Sequence, residues 1–262
     1  MLLTIDIGNS SICLGLFRGE SLAATAKLSA DTKRSADEYA VIIRGLLSAH
    51  GVDPQEIAAA IISSVVPKLI HTVEKALSWQ EMPVYVVGNG VKTGISLKVD
   101  DPAQLGADIV TNAAAAVKLY GAPVAVVDIG TATVISAVSE QKALIGVAIA
   151  PGPAASLEGL RASAALIPYT ELSAPAAALG KNTPDALRAG LVTGHACMID
   201  GMLDRILAEY HLPDDTPVVV TGGLAPLITT ECRHEMKHSE HLTLWGLYHM
   251  YTATVIVKSK KG

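Results

Sequence analysis

The sequence predicts an α/β protein built from two similar domains that face one another across a central cleft. An apolar run closing on Asp6-Ile7-Gly8 recurs as a run closing on Asp128-Ile129-Gly130, 128 − 6 = 122 positions later in a chain of 262 residues. The surroundings repeat as well, because two further strand-like runs and then helices follow each copy. Half the residues are hydrophobic but only 4% are aromatic, so small aliphatic side chains carry the core, which suits close helix-on-sheet layers. At about 100–200 residues per domain the length allows one large domain or two small ones. The repeat decides for two, residues 1–118 and 119–262.

In the first half, residues 2–7, 12–17 and 22–28 form a β-meander, with Arg18-Gly19-Glu20 as its second turn. Ser35 and Glu38 stand as a capping-box pair, ahead of a helix that places Tyr39, Ile42, Ile43, Leu46 and Leu47 on one face. Residues 57–63 read as a buried strand, Pro67 as the first residue of a second helix, and residues 84–87 as a short strand. An Ala-rich helix over 111–118 follows Gly106-Ala107-Asp108. In the second half, residues 124–127, 134–138 and 143–149 repeat the meander, with Ser139-Glu140-Gln141-Lys142 as a turn. Residues 184–210 read as helical, with Ile199, Met202, Leu203 and Ile206 as the buried stripe. A strand over 218–220 ends in Thr221-Gly222-Gly223-Leu224-Ala225-Pro226, the counterpart of Ile61-Ile62-Ser63-Ser64-Val65-Val66-Pro67. The offset there is 226 − 67 = 159, so the second half carries about 159 − 122 = 37 extra residues, assigned to an insertion near 151–183.

Composition excludes some classes of function. A net charge of −5 leaves no basic excess for displacing counterions from a nucleic acid backbone. No apolar run reaches the roughly 18 residues of a membrane span, and the opening residues lack the basic lead of a signal peptide. Neither nucleic acid nor membrane is therefore an expected partner. Cys13, Cys197 and Cys232 are odd in number and scattered, which fits free thiols in a reducing cytoplasm.

The chemistry concentrates in the repeated hairpins. Gly8 permits a tight turn that leaves amide N–H groups for an anion, and Asn9, Ser10 and Ser11 add neutral donors. Asp6, at the strand end, is placed to hold a divalent metal beside phosphates, directly or through water. Asp128-Ile129-Gly130-Thr131 carries the same equipment. Asp108 reads as a helix N-cap, or as a base that accepts a hydroxyl proton in phosphoryl transfer. Thr183, ahead of Pro184, reads as an N-cap or as a hydroxyl directed to substrate. Thr221-Gly222-Gly223 offers either a close approach for a ribose or ring, or a plain strand-to-helix turn. The literal H-E-x-x-H at His234-Glu235-Met236-Lys237-His238 lacks the apolar back of a zinc-binding helix and reads as a solvated segment.

Together the ordered motifs resemble type III pantothenate kinase over essentially the whole chain. They are Asp6-Ile7-Gly8-Asn9-Ser10, Ile62-Ser63-Ser64-Val65-Val66-Pro67, Gly106-Ala107-Asp108 and Asp128-Ile129-Gly130-Thr131-Ala132-Thr133. Pro151-Gly152, Gly180-Lys181-Asn182-Thr183, Ile199-Asp200-Gly201 and Thr221-Gly222-Gly223-Leu224-Ala225-Pro226 complete the series. The resemblance implies two ribonuclease-H-like domains of the actin-like, sugar-kinase-like fold, in a homodimer. It also implies ATP-dependent phosphorylation of pantothenate, with Mg²⁺ and a monovalent cation, K⁺ or NH₄⁺. By the same resemblance Asp6, Ile7, Gly8, Asn9, Ser10, Ser11, Ile12 and Cys13 hold ATP phosphates, Thr131 touches ATP, and Asp128 binds the monovalent cation. Asp108 becomes the proton acceptor, and Gly106, Ala107, Asp108 and Thr183 line the pantothenate site.

Three positions depart from the family pattern. Ile109 stands where the family has Arg, Val99 where it usually has Tyr, and Val134 where a second Thr is usual. Positions 99 and 109 belong to the acceptor pocket, and isoleucine cannot pair with a substrate carboxylate. The alternatives are therefore a catalytically weak nucleotide-binding relative, or a kinase of another small hydroxylated acceptor.

Overall fold

Extended chain must find partners for its backbone N–H and C=O groups, and each half of this protein finds them first in its own neighbours. In the computed structural model, which describes residues 1–88 and 90–259, β1 (Leu2–Ile7), β2 (Ser11–Arg18) and β3 (Ser21–Ser29) form an antiparallel meander. Leu3, Ile5 and Ile7 enter a core, while Thr4 and Asp6 alternate with them onto the other face. Helix α1 (Ala36–Ala49) opens on the expected capping box. Ser35 Oγ accepts the Glu38 N–H at 3.3 Å, and the Ser35 N–H donates to the Glu38 carboxylate at 2.7 Å. Tyr39, Ile43 and Leu47 of α1 complete that core.

Strand β4 (Ala59–Ser64) lies parallel to β1, and after α2 (Pro67–Ala76) strand β5 (Val84–Val86) lies parallel to β4. The sheet order is β3-β2-β1-β4-β5. The chain then passes through β6 (Ser96–Leu97) into α3 (Ala107–Tyr120).

The second meander is β7 (Val124–Ile129), β8 (Ala132–Val138) and β9 (Ala143–Pro151). The interval near 151–183 holds α4 (Pro153–Ser163) and an irregular run. The expected helix over 184–210 is present as α5 (Thr183–Arg188), a π-helical turn (Ala189–Thr193) and α6 (Gly194–Glu209) in direct succession. Strand β10 (Val218–Thr221) follows, parallel to β7, then α7 (Ala225–Thr229), β11 (Lys237–His238) and α8 (Leu242–Ser259). The second sheet runs β11-β10-β7-β8-β9-β6, which without β6 repeats the order and strand directions of the first. Even the irregularity recurs, between Leu16 and Phe17 in one copy and between Ala137 and Val138 in the other.

Register refines the repeat in one respect. Asp6 pairs with Cys13 and Asp128 with Val134, so the second hairpin is one residue shorter and Cys13 is the counterpart of Val134.

The chain forms two compact units that divide between Lys118 and Leu119, with residues 95–100 in the second unit and the segment from Leu242 in the first. Residues 95–100 join the second unit because β6 pairs with β9, where Ser96 N–H donates to Lys142 O at 3.0 Å. Helix α8 joins the first unit, where Phe17 stacks on Tyr248 at 4.6 Å and Thr243 Oγ1 donates to Asn112 Oδ1 at 2.7 Å. Gly246 lies so close to the Thr111 backbone that any side chain there would collide with it. Among the described residues, no helix is long and apolar enough to cross a membrane.

Candidate active site

Parallel strands bring their carboxyl ends together, and ligands of open α/β sheets bind at such ends. In the first unit Asp6 lies opposite Ser63 and Ile7 opposite Ser64, and the Val65 N–H donates to Ile7 O at 3.0 Å. The turn after β1 closes with Gly8 N–H on Ser11 O at 2.9 Å and leaves Asn9 and Ser10 exposed. Within the expected phosphate-binding segment, Ile7 and Ile12 are 0% and 1% exposed, so their side chains belong to the core and only backbone groups remain to meet a ligand. Asp6 and Cys13 are half-buried, and burial, then the Asp6 charge, pushes the Cys13 thiol above its ordinary range. Ser64 Oγ is engaged in the turn, donating to Val66 O at 3.1 Å and accepting from Val66 N–H at 3.0 Å. Ser63 is fully buried and its hydroxyl has no hydrogen-bond partner, a state that typically costs about 1–3 kcal/mol.

Asp108 enters the same unit from α3. A Cβ on Gly106 would stand 3.3 Å from Val65 Cγ1 and would collide with Asp108 Oδ1, so glycine lets the start of α3 lie against the end of β4. The first helical bond, Val110 N–H to Gly106 O at 3.4 Å, makes Gly106 the cap position. Asp108 is therefore not the N-cap that its spacing suggests but the second residue of the helix. Its Oδ1 accepts the adjacent Ile109 N–H at 2.8 Å. Burial pushes the Asp108 carboxyl above its ordinary range, against the lowering pull of the Ile109 and Asp108 backbone N–H groups. Asp6 and Asp108 thus belong to the same end of the first unit. Ile109 is 9% exposed and serves packing, offering no polar group at that position.

In the second unit, Asp128 is half-buried opposite Thr221, and Thr131 is exposed at the hairpin tip. Other backbone segments close on this hairpin. Gly152 N–H donates to Thr131 O at 2.9 Å, and Leu224 N–H to Ile129 O at 3.3 Å. A Cβ on Gly152 would collide with the Gly130 and Thr131 carbonyls, and one on Gly222 with the Ile129 backbone. Gly222, at φ +101°, therefore serves a close approach by the protein's own strand, whereas Gly223 has open space where a Cβ would stand. Thr133 Oγ1, beneath the hairpin, is 2.7 Å from His195 Nε2, and burial lowers that imidazole's pKa. The sequence shows no triad-like arrangement around His195, because a contact 62 residues apart leaves no local signature.

Thr183 is not the N-cap of α5: Asn182 is, its side chain accepting Asp185 N–H at 2.9 Å, and Thr183 is the exposed first helical residue. Val99, just beyond β6, is half-buried in the second unit. The H-E-x-x-H segment is non-helical, and its His234 ring lies 2.8 Å from Asp204. Arg233 and His234 also donate backbone N–H groups to the buried Asp200, at 2.8 and 3.2 Å.

Among the described residues, no group of three or more His, Cys, Asp or Glu gathers as a metal cage. Single carboxylates at Asp6 and Asp128 suit hard cations that complete their shells with waters, carbonyls and substrate phosphates, as Mg²⁺ commonly does.

A family profile for type III pantothenate kinase matches residues 2–205. A type III pantothenate kinase of Streptomyces avermitilis is 41% identical over 262 residues, covering 97% of this chain and 99% of the relative. The type III pantothenate kinase of Thermobifida fusca is 41% identical over 250 residues, covering 94% and 97%. Among solved structures, a putative 2-dehydro-3-deoxygalactonokinase of Sinorhizobium meliloti aligns with a TM-score of 0.61. It covers 97% of this chain and 96% of its own at 14% identity, a likeness of fold alone.

Proposed function

Because the chain belongs to the type III pantothenate kinase family, we propose that Asp108 is the base of its reaction, the ATP-dependent phosphorylation of pantothenate to 4'-phosphopantothenate. The protein is a kinase of the actin-like fold, and this reaction is the first step of coenzyme A biosynthesis. The observation that carries the role of Asp108 is its carboxyl, pushed up by burial at the start of α3, at the same sheet end as Asp6. A carboxylate whose pKa is raised accepts a proton more readily than an exposed one.

In the proposed step the pantothenate hydroxyl oxygen bonds to the γ-phosphorus of ATP, the bond from that phosphorus to the bridging oxygen breaks, and ADP leaves. The hydroxyl proton passes to Asp108. Asn9, Ser10, Ser11 and the backbone N–H groups of the first hairpin hold phosphate oxygens, and Thr131 adds a contact to ATP. Gly106, Ala107, Ile109, Val99 and Thr183 are assigned to pantothenate, with Asp6 holding Mg²⁺ and Asp128 holding K⁺ or NH₄⁺. Bound Mg²⁺ supplies charge neutralisation on the transferring phosphoryl group.

A homodimer and a cytoplasmic setting belong to the same reading. Exposed Ile149, Leu160, Leu166, Tyr169 and Leu179, all between residues 149 and 179, favour self-association, and three free thiols favour a reducing compartment. The decisive experiment measures pantothenate-dependent ADP release with Mg²⁺ and NH₄⁺. Asp108→Asn is expected to lower kcat about 10²–10⁴-fold; an undiminished kcat would refute the assignment.

A further inference from the structure

We propose that Ser63 is a positioning residue for the divalent-cation end of the nucleotide site, its hydroxyl reserved for the hydration shell held at Asp6. The inference rests on the reading of Asp6 as the Mg²⁺ residue. Ser63 of β4 and Asp6 of β1 are in register on adjacent parallel strands, so both side chains leave the sheet on the same face. Ser63 is 0% exposed, yet its Oγ has no hydrogen-bond partner. Native proteins rarely leave such a group unsatisfied, and the common explanation is a water, ion or ligand that completes it.

The neighbouring hydroxyl sharpens the contrast. Ser64 spends its Oγ on Val66 at 3.0 and 3.1 Å, building the turn into α2, whereas Ser63 contributes to no turn. Cys13, on the other side of Asp6 in the same row, offers only a thiol, a weak donor and weak acceptor. Ser63 is therefore the strong neutral donor and acceptor of that row. The duplicated unit repeats the arrangement, because β10 sets Thr221, 4% exposed, in register with Asp128. A buried hydroxyl beside each hairpin aspartate is thus a recurring feature of the two sheets.

The test compares wild type, Ser63→Ala, Ser63→Thr and Asp6→Asn. ADP binding is measured by calorimetry with Mg²⁺ and again in EDTA, and thermal unfolding is followed without nucleotide. Ser63→Ala is expected to weaken Mg·ADP binding about tenfold, to leave ADP binding in EDTA unchanged, and to unfold no lower than wild type. Ser63→Thr, which copies Thr221, is expected to restore the Mg²⁺ dependence. A Ser63→Ala protein that unfolds at lower temperature or fails to fold, or that binds Mg·ADP as wild type does, would overturn the proposal. If Asp6→Asn loses Mg²⁺ dependence while Ser63→Ala keeps it, only the role of Ser63 fails. If Mg²⁺ does not strengthen ADP binding to wild type, the underlying reading of Asp6 fails with it.

Discussion

At Asp108 the chemistry proposed for catalysis opposes stability. Burial raises its carboxyl pKa in the folded state, so the native protein holds this proton more tightly than the unfolded chain. The resulting stabilisation is complete below the ordinary value of 3.8 and is lost as pH rises through the folded value; at neutral pH the buried charge is a cost. Asp108→Asn keeps the acceptor for the Ile109 N–H and removes the charge, so it is expected to melt higher than wild type at pH 7. The difference should shrink in acid, and a pH series of melting curves measures both. Single residues were legible where their partners are close in sequence, as with Ser35 and Glu38 three positions apart. They were misread where neighbours compete: Asn182 takes the cap from Thr183, and Gly106 takes it from Asp108. Ser63 stands in the Ile62–Pro67 motif with no mark of its own, and the Thr133 contact of His195 leaves none, since strand register and a distant helix create them.

Among the elements, strands and helices were legible because apolar periodicity and turn residues agree along each segment. The glycines at the strand ends were only half legible. Thr221-Gly222-Gly223 announces a turn, but only the fold shows that Gly222 faces the Ile129 backbone at φ +101° while Gly223 faces open space. Gly222→Ala is therefore expected to destabilise by more than about 1 kcal/mol, from its backbone conformation and the collision together. It should also weaken nucleotide binding by displacing the second hairpin. Gly223→Ala should leave the melting temperature unchanged, and equal effects from the two substitutions would refute this division. The H-E-x-x-H segment shows the reverse case, a strong local pattern overruled because residues 234–238 do not form a helix and the His234 ring meets Asp204.

Over the whole molecule, the duplication was legible from two Asp-Ile-Gly motifs, and the matching strand orders carry it through to topology. The unit boundaries were less so, because a chain can return to an earlier unit without any mark in its composition. Helix α8 does this, burying Leu242, Leu244, Leu247 and Met250 in the first unit. At about 1.5–3 kcal/mol for each such side chain, its loss would remove a stabilisation comparable to that of a whole domain. A chain ending at His241 is therefore expected to lose the first unit's protease resistance, as limited proteolysis would show; a fully resistant first unit would refute it.

The same return of the chain sets an order of events during synthesis. Everything the second unit needs is synthesised before residue 242. The first unit, which carries Asp6 and Asp108, lacks one of its helices until α8 has been synthesised. The unit begun earliest in synthesis is thus the one whose segments are completed later.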